Sequence, residues 1–250
     1  MPIDLAPHNP YGLTLTNAVL GRCGGFGAGT DRLANMANLG AIITDPLGTR
    51  DQALQLLPTT GGVLYRSSTR TWRRAQRDAA HWQTLNLPVL LTLQPRNLQD
   101  LQELLRNLQE GEWAAVVLDV EQSGELQHLV RWVELVRNQW EAPLLLQVAT
   151  DQISQLTSIP QSIDGIMLGS GPRAKHGEHY GRLLGPAIEP LLLWGVERLR
   201  ELSNTSLICS AASLASLASL QALGVQAIVL DSLLWTTSTH DVAQIHFNQQ

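Results

Sequence analysis

The residues that could do chemistry in this sequence form a few small groups, of which the first is a glycine-rich segment near the start. Gly24-Gly25-Phe26-Gly27-Ala28-Gly29 follows a short apolar run. Backbone N–H groups in such a turn can hold a phosphate. The segment does not spell GxGxxG, however, and no acidic residue is cleanly placed about 20 positions further on. Alone, it indicates a phosphate site only weakly.

A second candidate is the segment from Arg173 to Tyr180, which holds two of the seven histidines. His176 and His179, with Glu178 beside them, could ligate a metal or transfer protons. The stretch is interpreted as a glycine-bounded loop, which does not ensure that both imidazoles point at one atom. A solvated or partner-contacting loop is therefore favoured, and these histidines stay weak metal candidates.

Cysteine usage and charge limit the remaining chemistry. Cys23 and Cys209 are far apart and form no CxxC pattern, which favours two small buried residues in a reducing compartment. A net charge of −5 and a pI of 5.8 argue against a nucleic-acid or anionic-membrane partner. The chain shows no apolar run of roughly 18–20 residues and no signal-peptide pattern. We therefore expect a soluble, cytoplasmic protein.

The elements that position these residues are short apolar runs alternating with helical stretches, a pattern typical of βαβ units. Strands are predicted near Ala18–Gly21, Ala41–Thr44, Val89–Leu93, Ala115–Asp119, Leu144–Val148, Gly165–Leu168, Leu207–Ser210 and Ala227–Leu230. Helices are predicted over Asp31–Leu39, Thr71–Leu85, Leu98–Gln109, Gly124–Trp140, Gln152–Ser158, Pro186–Leu202 and Leu214–Leu223.

Most of these strands are apolar throughout, as expected when a barrel interior covers one face and helices cover the other. The sequence predicts an α/β fold, a single-domain (β/α)₈ TIM barrel over residues 1–250, with a loosely packed tail from about residue 236. A doubly wound open sheet is the alternative. Six tryptophans on or beside helices are expected to pack against the sheet, or otherwise to form an oligomer interface: Trp72, Trp82, Trp113, Trp132, Trp140 and Trp194.

Several motifs resemble those of type 1 dihydroorotate dehydrogenases. The run from Gly12 to Gly29 looks like that family's opening, G-L-x-L-x-N-P-[VI]-x-x-A-S-G-x-F-G-x-G, and Leu39–Thr44 resembles its second strand. Thr60–Leu64 is similar to T-P-G-G-M-L-N, and Gly181–Pro190 to G-G-L-S-G-P-A-I-K-P. The resemblance spans roughly residues 12–235 and implies a barrel with FMN over its C-terminal mouth.

This sequence departs from the family where the flavin and the substrate would bind. The two lysines that the resemblance places beside the flavin correspond to Asp45 and Gln147, and Lys175 is the only lysine of the chain. Substrate-binding asparagines correspond to Tyr65 and Asp119, and another is replaced by Gly169-Ser170. The catalytic Cys or Ser falls at Gln122 or is deleted. These degenerate positions leave no confident catalytic residue.

The phosphate-binding turns are altered as well. The family's G-G-I reads Ala211-Ala212-Ser213, and its G-T-A reads Asp231-Ser232-Leu233. A carboxylate about 4 Å from a dianionic phosphate costs on the order of several kcal/mol. The positions that would contact a cofactor at this mouth are Arg22, Cys23, Gly24, Ala211, Ala212, Asp231 and Ser232.

Arg22 replaces a small alanine at the end of the first strand. One interpretation is a structural salt bridge with Asp45, Asp119 or Asp231, which would fill the space that a flavin vacates. The other is an anion-binding arginine for a new ligand. Because Glu121 also lies at this mouth, the ring of charges is self-complementary, which favours the structural interpretation.

The sequence thus predicts a divergent dihydroorotate dehydrogenase-like barrel that has lost normal FMN binding and dihydroorotate oxidation. It is expected to serve as a binding, regulatory or assembly protein, with a protein partner or a homo-oligomer and possible room for a small molecule at the mouth. No cofactor is expected, or FMN if the family function is retained. The alternative is an enzyme, either a divergent FMN-dependent oxidoreductase or a barrel repurposed for other chemistry.

Overall fold

The barrel predicted from the sequence is confirmed by the computed structural model, which describes residues 2–22, 39–48, 50–84, 86–108, 111–123, 126–231, 233, 245 and 247. Eight parallel strands close into a barrel with helices between them. In chain order the strands are β1 (Ile3–Asp4), β2 (Thr14–Leu15), β3 (Val19–Arg22), β4 (Ala41–Ile43), β5 (Gln55–Thr59), β6 (Gly62–Arg66), β7 (Val89–Leu93), β8 (Ala115–Asp119), β9 (Leu144–Val148), β10 (Gly165–Leu168), β11 (Arg173–His176), β12 (His179–Leu184), β13 (Ser206–Ser210) and β14 (Ala227–Leu230).

The barrel strands run in the order β3-β4-β7-β8-β9-β10-β13-β14, and β14 pairs with β3 to close the ring. All eight lie within one residue of the predicted bounds. Every residue in them is buried, because side chains on one face fill the barrel and those on the other face meet helices. The continuous apolar runs of the sequence therefore predicted the positions of the barrel strands well.

The α-helices are α1 (Trp72–Gln83), α2 (Leu98–Leu105), α3 (Leu129–Arg137), α4 (Glu189–Leu202) and α5 (Ser216–Ala222). Short 3₁₀ turns cover Leu126–His128, Thr150–Gln155 and Pro186–Ile188, so the predicted helix over Gln152–Ser158 is a 3₁₀ turn shifted toward the N-terminus. Gly224 follows α5 with a φ of +77°, which ends that helix as predicted. The predicted helix over Asp31–Leu39 lies almost wholly outside the described residues.

A four-stranded antiparallel sheet, in the order β11-β12-β6-β5, was not predicted. The segment from Arg173 to Tyr180 was predicted as a loop, and this is wrong: it forms most of the β11–β12 hairpin. Two of the four motifs that resemble dihydroorotate dehydrogenase, Thr60–Leu64 and Gly181–Pro190, meet in this sheet, where Val63 pairs with Leu184. A Cβ on Gly62 would lie 2.1 Å from the Leu184 carbonyl oxygen, so this close approach requires glycine.

The tryptophans mostly pack as predicted. Trp113, Trp132 and Trp140 are buried in the core, and Trp72 meets Trp113 edge-on with ring centroids 5.8 Å apart. Trp194 on α4 is 46% exposed, so the oligomer interface remains a prediction for that residue. The side chain of Trp82 lies outside the described residues. In the part of the chain that the structure describes, no helix has the length and apolar character to cross a membrane.

Candidate functional site at the barrel mouth

A cleft of about 1160 Å³ opens at the C-terminal ends of the barrel strands, and we call it the mouth cleft. Its inner lining, here called the cleft floor, includes Arg22 from the end of β3, Gln94 after β7, Asp119 from the end of β8 and Gln147 from β9. The antiparallel sheet supplies Tyr65, Arg66 and several β12 residues to another wall. The loops that follow barrel strands are where TIM barrels place their ligands.

A chain of hydrogen bonds orders the cleft floor. Arg22 donates through Nη2 to Oε1 of Gln147 over 2.7 Å, and Nε2 of Gln147 donates to Oδ2 of Asp119 over 3.1 Å. Nε2 of Gln94 donates to the same Asp119 oxygen over 2.7 Å. The backbone N–H of Glu121 donates to Oδ1 of Asp119 over 2.9 Å. The Asp119 carboxyl group is thus fixed by three N–H donors, all of them uncharged.

Arg22 does not pair with Asp45, which is one of the partners predicted for it from the sequence. Asp45 instead forms an ion pair with Nε of Arg70 at 3.0 Å, and Arg22 reaches Asp119 only through Gln147. Burial by itself would lower the pKa of Arg22, but Tyr65 and the carboxylates of Asp231, Glu121 and Asp119 outweigh it, so the pKa is raised. Arg22 therefore stays charged inside the protein. Burial raises the pKa of Asp45, although Arg70 opposes this.

Asp119 is the group of the cleft floor whose protonation changes near neutral pH. Its burial, with the Glu121 charge adding to it, raises the pKa of its carboxyl group to about 7. The Glu121 backbone N–H, Arg22 and Gln94 oppose this shift without cancelling it. A carboxyl group that titrates near neutrality at the bottom of a cleft marks a candidate functional residue.

Glu121 and Arg182 form a second buried network beside the cleft floor, and their pairing was not predicted from the sequence. The Glu121 carboxylate accepts hydrogen bonds from the N–H and Oγ of Ser170, at 2.8 and 2.6 Å, and lies 3.6 Å from Nε of Arg182. A Cβ on Gly169 would lie 2.1 Å from Oε1 of Glu121. Gly169 therefore leaves room for this carboxylate, and Ser170 supplies two of its donors.

Arg182 joins the sheet to the barrel. Its Nη1 lies 2.8 Å from Oδ1 of Asp151 and 3.0 Å from the carbonyl oxygen of Gly171, and its Nη2 contacts the carbonyl oxygen of Glu121. The sequence did offer a signal for this residue, because Arg182 stands where the resembling motif has glycine. Its partners lie 11 to 61 positions away along the chain, so spacing could not identify them.

The turn that would hold the FMN phosphate does not fit that group. The N–H of Ser213 donates to Oγ of Ser216 over 3.3 Å, and the N–H of Ser216 donates to Oγ of Ser213 over 3.1 Å. Ser213 Oγ donates to Glu189 over 3.0 Å, which places a carboxylate at this turn. The N–H of Ala211 already donates to the Val229 carbonyl oxygen. Donors that a phosphate needs are therefore engaged within the protein.

The next strand end adds to this mismatch. Ala212 is buried, and Asp231 is also buried and accepts a hydrogen bond from Oγ of Ser210 over 2.8 Å. Asp45 and Gln147 add no positive charge at the ends of β4 and β9. Cys23, Gly24 and Ser232, the other candidate cofactor positions, lie outside the described residues.

The remaining candidates from the sequence lie at the edge of the mouth cleft or near it. His176 and His179 face each other across the β11–β12 hairpin and are exposed. Within the described residues, no group of three or more His, Cys, Asp or Glu side chains could hold a metal ion. Gln122 lines the cleft and is exposed, and its carbonyl oxygen accepts a long hydrogen bond of 3.5 Å from Arg173.

Two exposed arginines, Arg50 and Arg66, line the outer part of the mouth cleft, and we call them the rim arginines. Neither guanidinium group forms an ion pair or a side-chain hydrogen bond with any residue that the structure describes. Arg96, which also lines the cleft, is paired with Asp100 at 3.2 Å. The rim arginines are thus available to an anion in the cleft.

Comparison with known proteins identifies the fold. Neither the protein-family models nor the curated proteins include a match to this chain. Among solved structures, the chain is similar to a ligand-free DHODH (dihydroorotate dehydrogenase) from Eimeria tenella, with a TM-score of 0.63 over 96% of this chain and 84% of that chain. The fold is DHODH-like. The two sequences are 14% identical over this match, so the likeness concerns the fold and not the activity.

Proposed function

We propose that this DHODH-like barrel binds a small organic anion at its mouth cleft and does not hold FMN in the family's pose. The observation that carries the proposal is the pair of rim arginines, whose guanidinium groups have no ionic partner among the described residues. Guanidinium groups recognise phosphates and carboxylates through paired N–H donors. The volume of the cleft, about 1160 Å³, is ample for a small metabolite.

Replacing both rim arginines, Arg50→Gln with Arg66→Gln, should weaken the binding of pyrophosphate by about ten- to a hundredfold, because two charged donors are lost. Isothermal titration calorimetry at low salt measures the dissociation constant. Arg131→Gln is the matched control, since Arg131 is exposed on α3 and does not line the cleft. Equal weakening in that control, or no binding of pyrophosphate by the unmodified protein, would contradict the proposal.

The purified protein is expected to be colourless and to remain so after incubation with FMN and removal of the free flavin. The reason is the phosphate turn, where the Ser213 and Ser216 donors are already engaged and Glu189 lies against Ser213. An absorbance spectrum from the near ultraviolet into the visible range measures this directly. A yellow protein with one flavin bound per chain would refute the prediction that FMN is not bound.

A second candidate function is acid–base catalysis at the same mouth, and the observation that favours it is Asp119. Its carboxyl group is oriented by three donors and has a pKa of about 7, which suits a residue that accepts or donates a proton. In that case a ligand of the cleft would be chemically changed. Recovery of every bound compound unchanged after long incubation, analysed by mass spectrometry, would favour binding over catalysis.

A further inference from the structure

We infer that the ligand of the mouth cleft is zwitterionic, with an ammonium group against Asp119 on the cleft floor and an anionic group at the rim arginines. This inference rests on the proposed binding of an organic anion. It adds the charge and the position of the other end of that ligand.

The pairing of the charged side chains at and near the mouth supports this orientation. Asp45 has Arg70 at 3.0 Å, and both Glu121 and Asp151 have Arg182, at 3.6 and 2.8 Å. These acidic side chains at the mouth therefore each have a cationic partner.

Asp119 differs from them. It is 1% exposed, and the donors that reach it are the side-chain amides of Gln94 and Gln147 and the backbone N–H of Glu121. No basic side chain among the described residues lies within ion-pair distance of its carboxyl group. The cation of the cleft floor, Arg22, donates to Gln147 instead.

A buried carboxylate without a cation is unfavourable, and it gains much from a charged donor that enters with a ligand. The charged groups that face Asp119 are Glu121, which raises its pKa, and Arg22, which lowers it, while Arg22 itself is also shared with Asp231 and Tyr65. A ligand ammonium would supply the missing positive charge and favour the ionised form of Asp119. A ligand carboxylate at the same place would meet Glu121 and Asp231 as well.

The test uses alkyl phosphates of graded chain length, each ended by an ammonium, a methyl or a carboxylate group, and measures their dissociation constants by calorimetry. At the best chain length, we expect the ammonium probe to bind at least about tenfold more tightly than the methyl probe, and the carboxylate probe to bind most weakly. Asp119→Asn should remove the advantage of the ammonium probe over the methyl probe. Retained binding of the methyl probe shows that this variant is folded.

The pH dependence of the unmodified protein gives a readout that needs no variant. An ammonium that binds ionised Asp119 should release a proton near neutral pH, so its advantage over the methyl probe should grow from about pH 5.5 to about pH 8. Calorimetry in buffers of different ionisation enthalpy measures the released proton. A merely structural Asp119 would leave this ratio constant.

The outcomes separate the two proposals. Equal affinities, or a preference for the carboxylate probe, together with weaker binding after substitution of the rim arginines, would overturn the zwitterion inference alone. An advantage of the ammonium probe that persists in Asp119→Asn would also overturn it. If none of the three probes binds, or if substitution of the rim arginines has no effect, the anion-binding function itself is overturned.

Discussion

Replacing Arg182 by alanine is expected to lower the free energy of unfolding by about 3 to 5 kcal/mol, because the change leaves a buried carboxylate without its cation. Arg182 is 3% exposed and contacts Glu121, Asp151 and the carbonyl oxygen of Gly171. Without it, the Glu121 carboxylate keeps its two Ser170 donors but loses its ion-pair partner. Chemical denaturation monitored by tryptophan fluorescence measures the loss.

Arg173→Ala is the matched control for this prediction. Arg173 is the cross-strand partner of Arg182 in the β11–β12 hairpin, but its side chain is exposed and its one side-chain hydrogen bond is 3.5 Å long. Its removal should cost less than about 1 kcal/mol. Similar losses in both variants would mean that Arg182 contributes as an ordinary hairpin residue and not through the buried network.

The second large effect is the dependence of stability on pH that Asp119 produces. Its folded-state pKa is raised from 3.8 to about 7, so the folded protein holds this proton more tightly than the unfolded chain does. The resulting stabilisation is complete below the unfolded pKa and is lost as the pH rises through about 7. Between about pH 4 and pH 8, the loss should be on the order of 3 kcal/mol relative to Asp119→Asn.

The quantity that tests this is the difference between the unfolding free energies of the unmodified protein and Asp119→Asn, measured across that pH range. The contributions of other titrating groups largely cancel in this difference. As the pH rises, the unfolding free energy of Asp119→Asn should increasingly exceed that of the unmodified protein. Asp78→Asn, which alters a half-buried carboxyl group on α1 with Arg74 at 3.9 Å, is measured in parallel as the control. A difference for Asp119→Asn that is constant with pH would mean that the carboxyl group titrates in its ordinary range.

Residue types and their positions at strand ends predict which side chains lie at the site but not how these side chains pair. The sequence placed Arg22, Asp45, Asp119 and Gln147 at the mouth of the barrel, and the structure brings them there, because the C-terminal ends of parallel barrel strands meet at one face. It did not predict which of them pair. Asp45 bonds to Arg70, which lies outside the predicted set, and Gln147 stands between Arg22 and Asp119.

The barrel and the types of groups at its mouth follow from the sequence alone. The barrel strands are continuous apolar runs, buried on both faces, so their positions follow from local pattern, and the residue types at their ends can be read directly. Only the folded arrangement produces the antiparallel sheet, since its central pairing joins Val63 to Leu184, which four of the eight barrel strands separate along the chain. It also decided the pKa of Asp119, because burial and the distance to a cation depend on which side chains meet once the barrel closes.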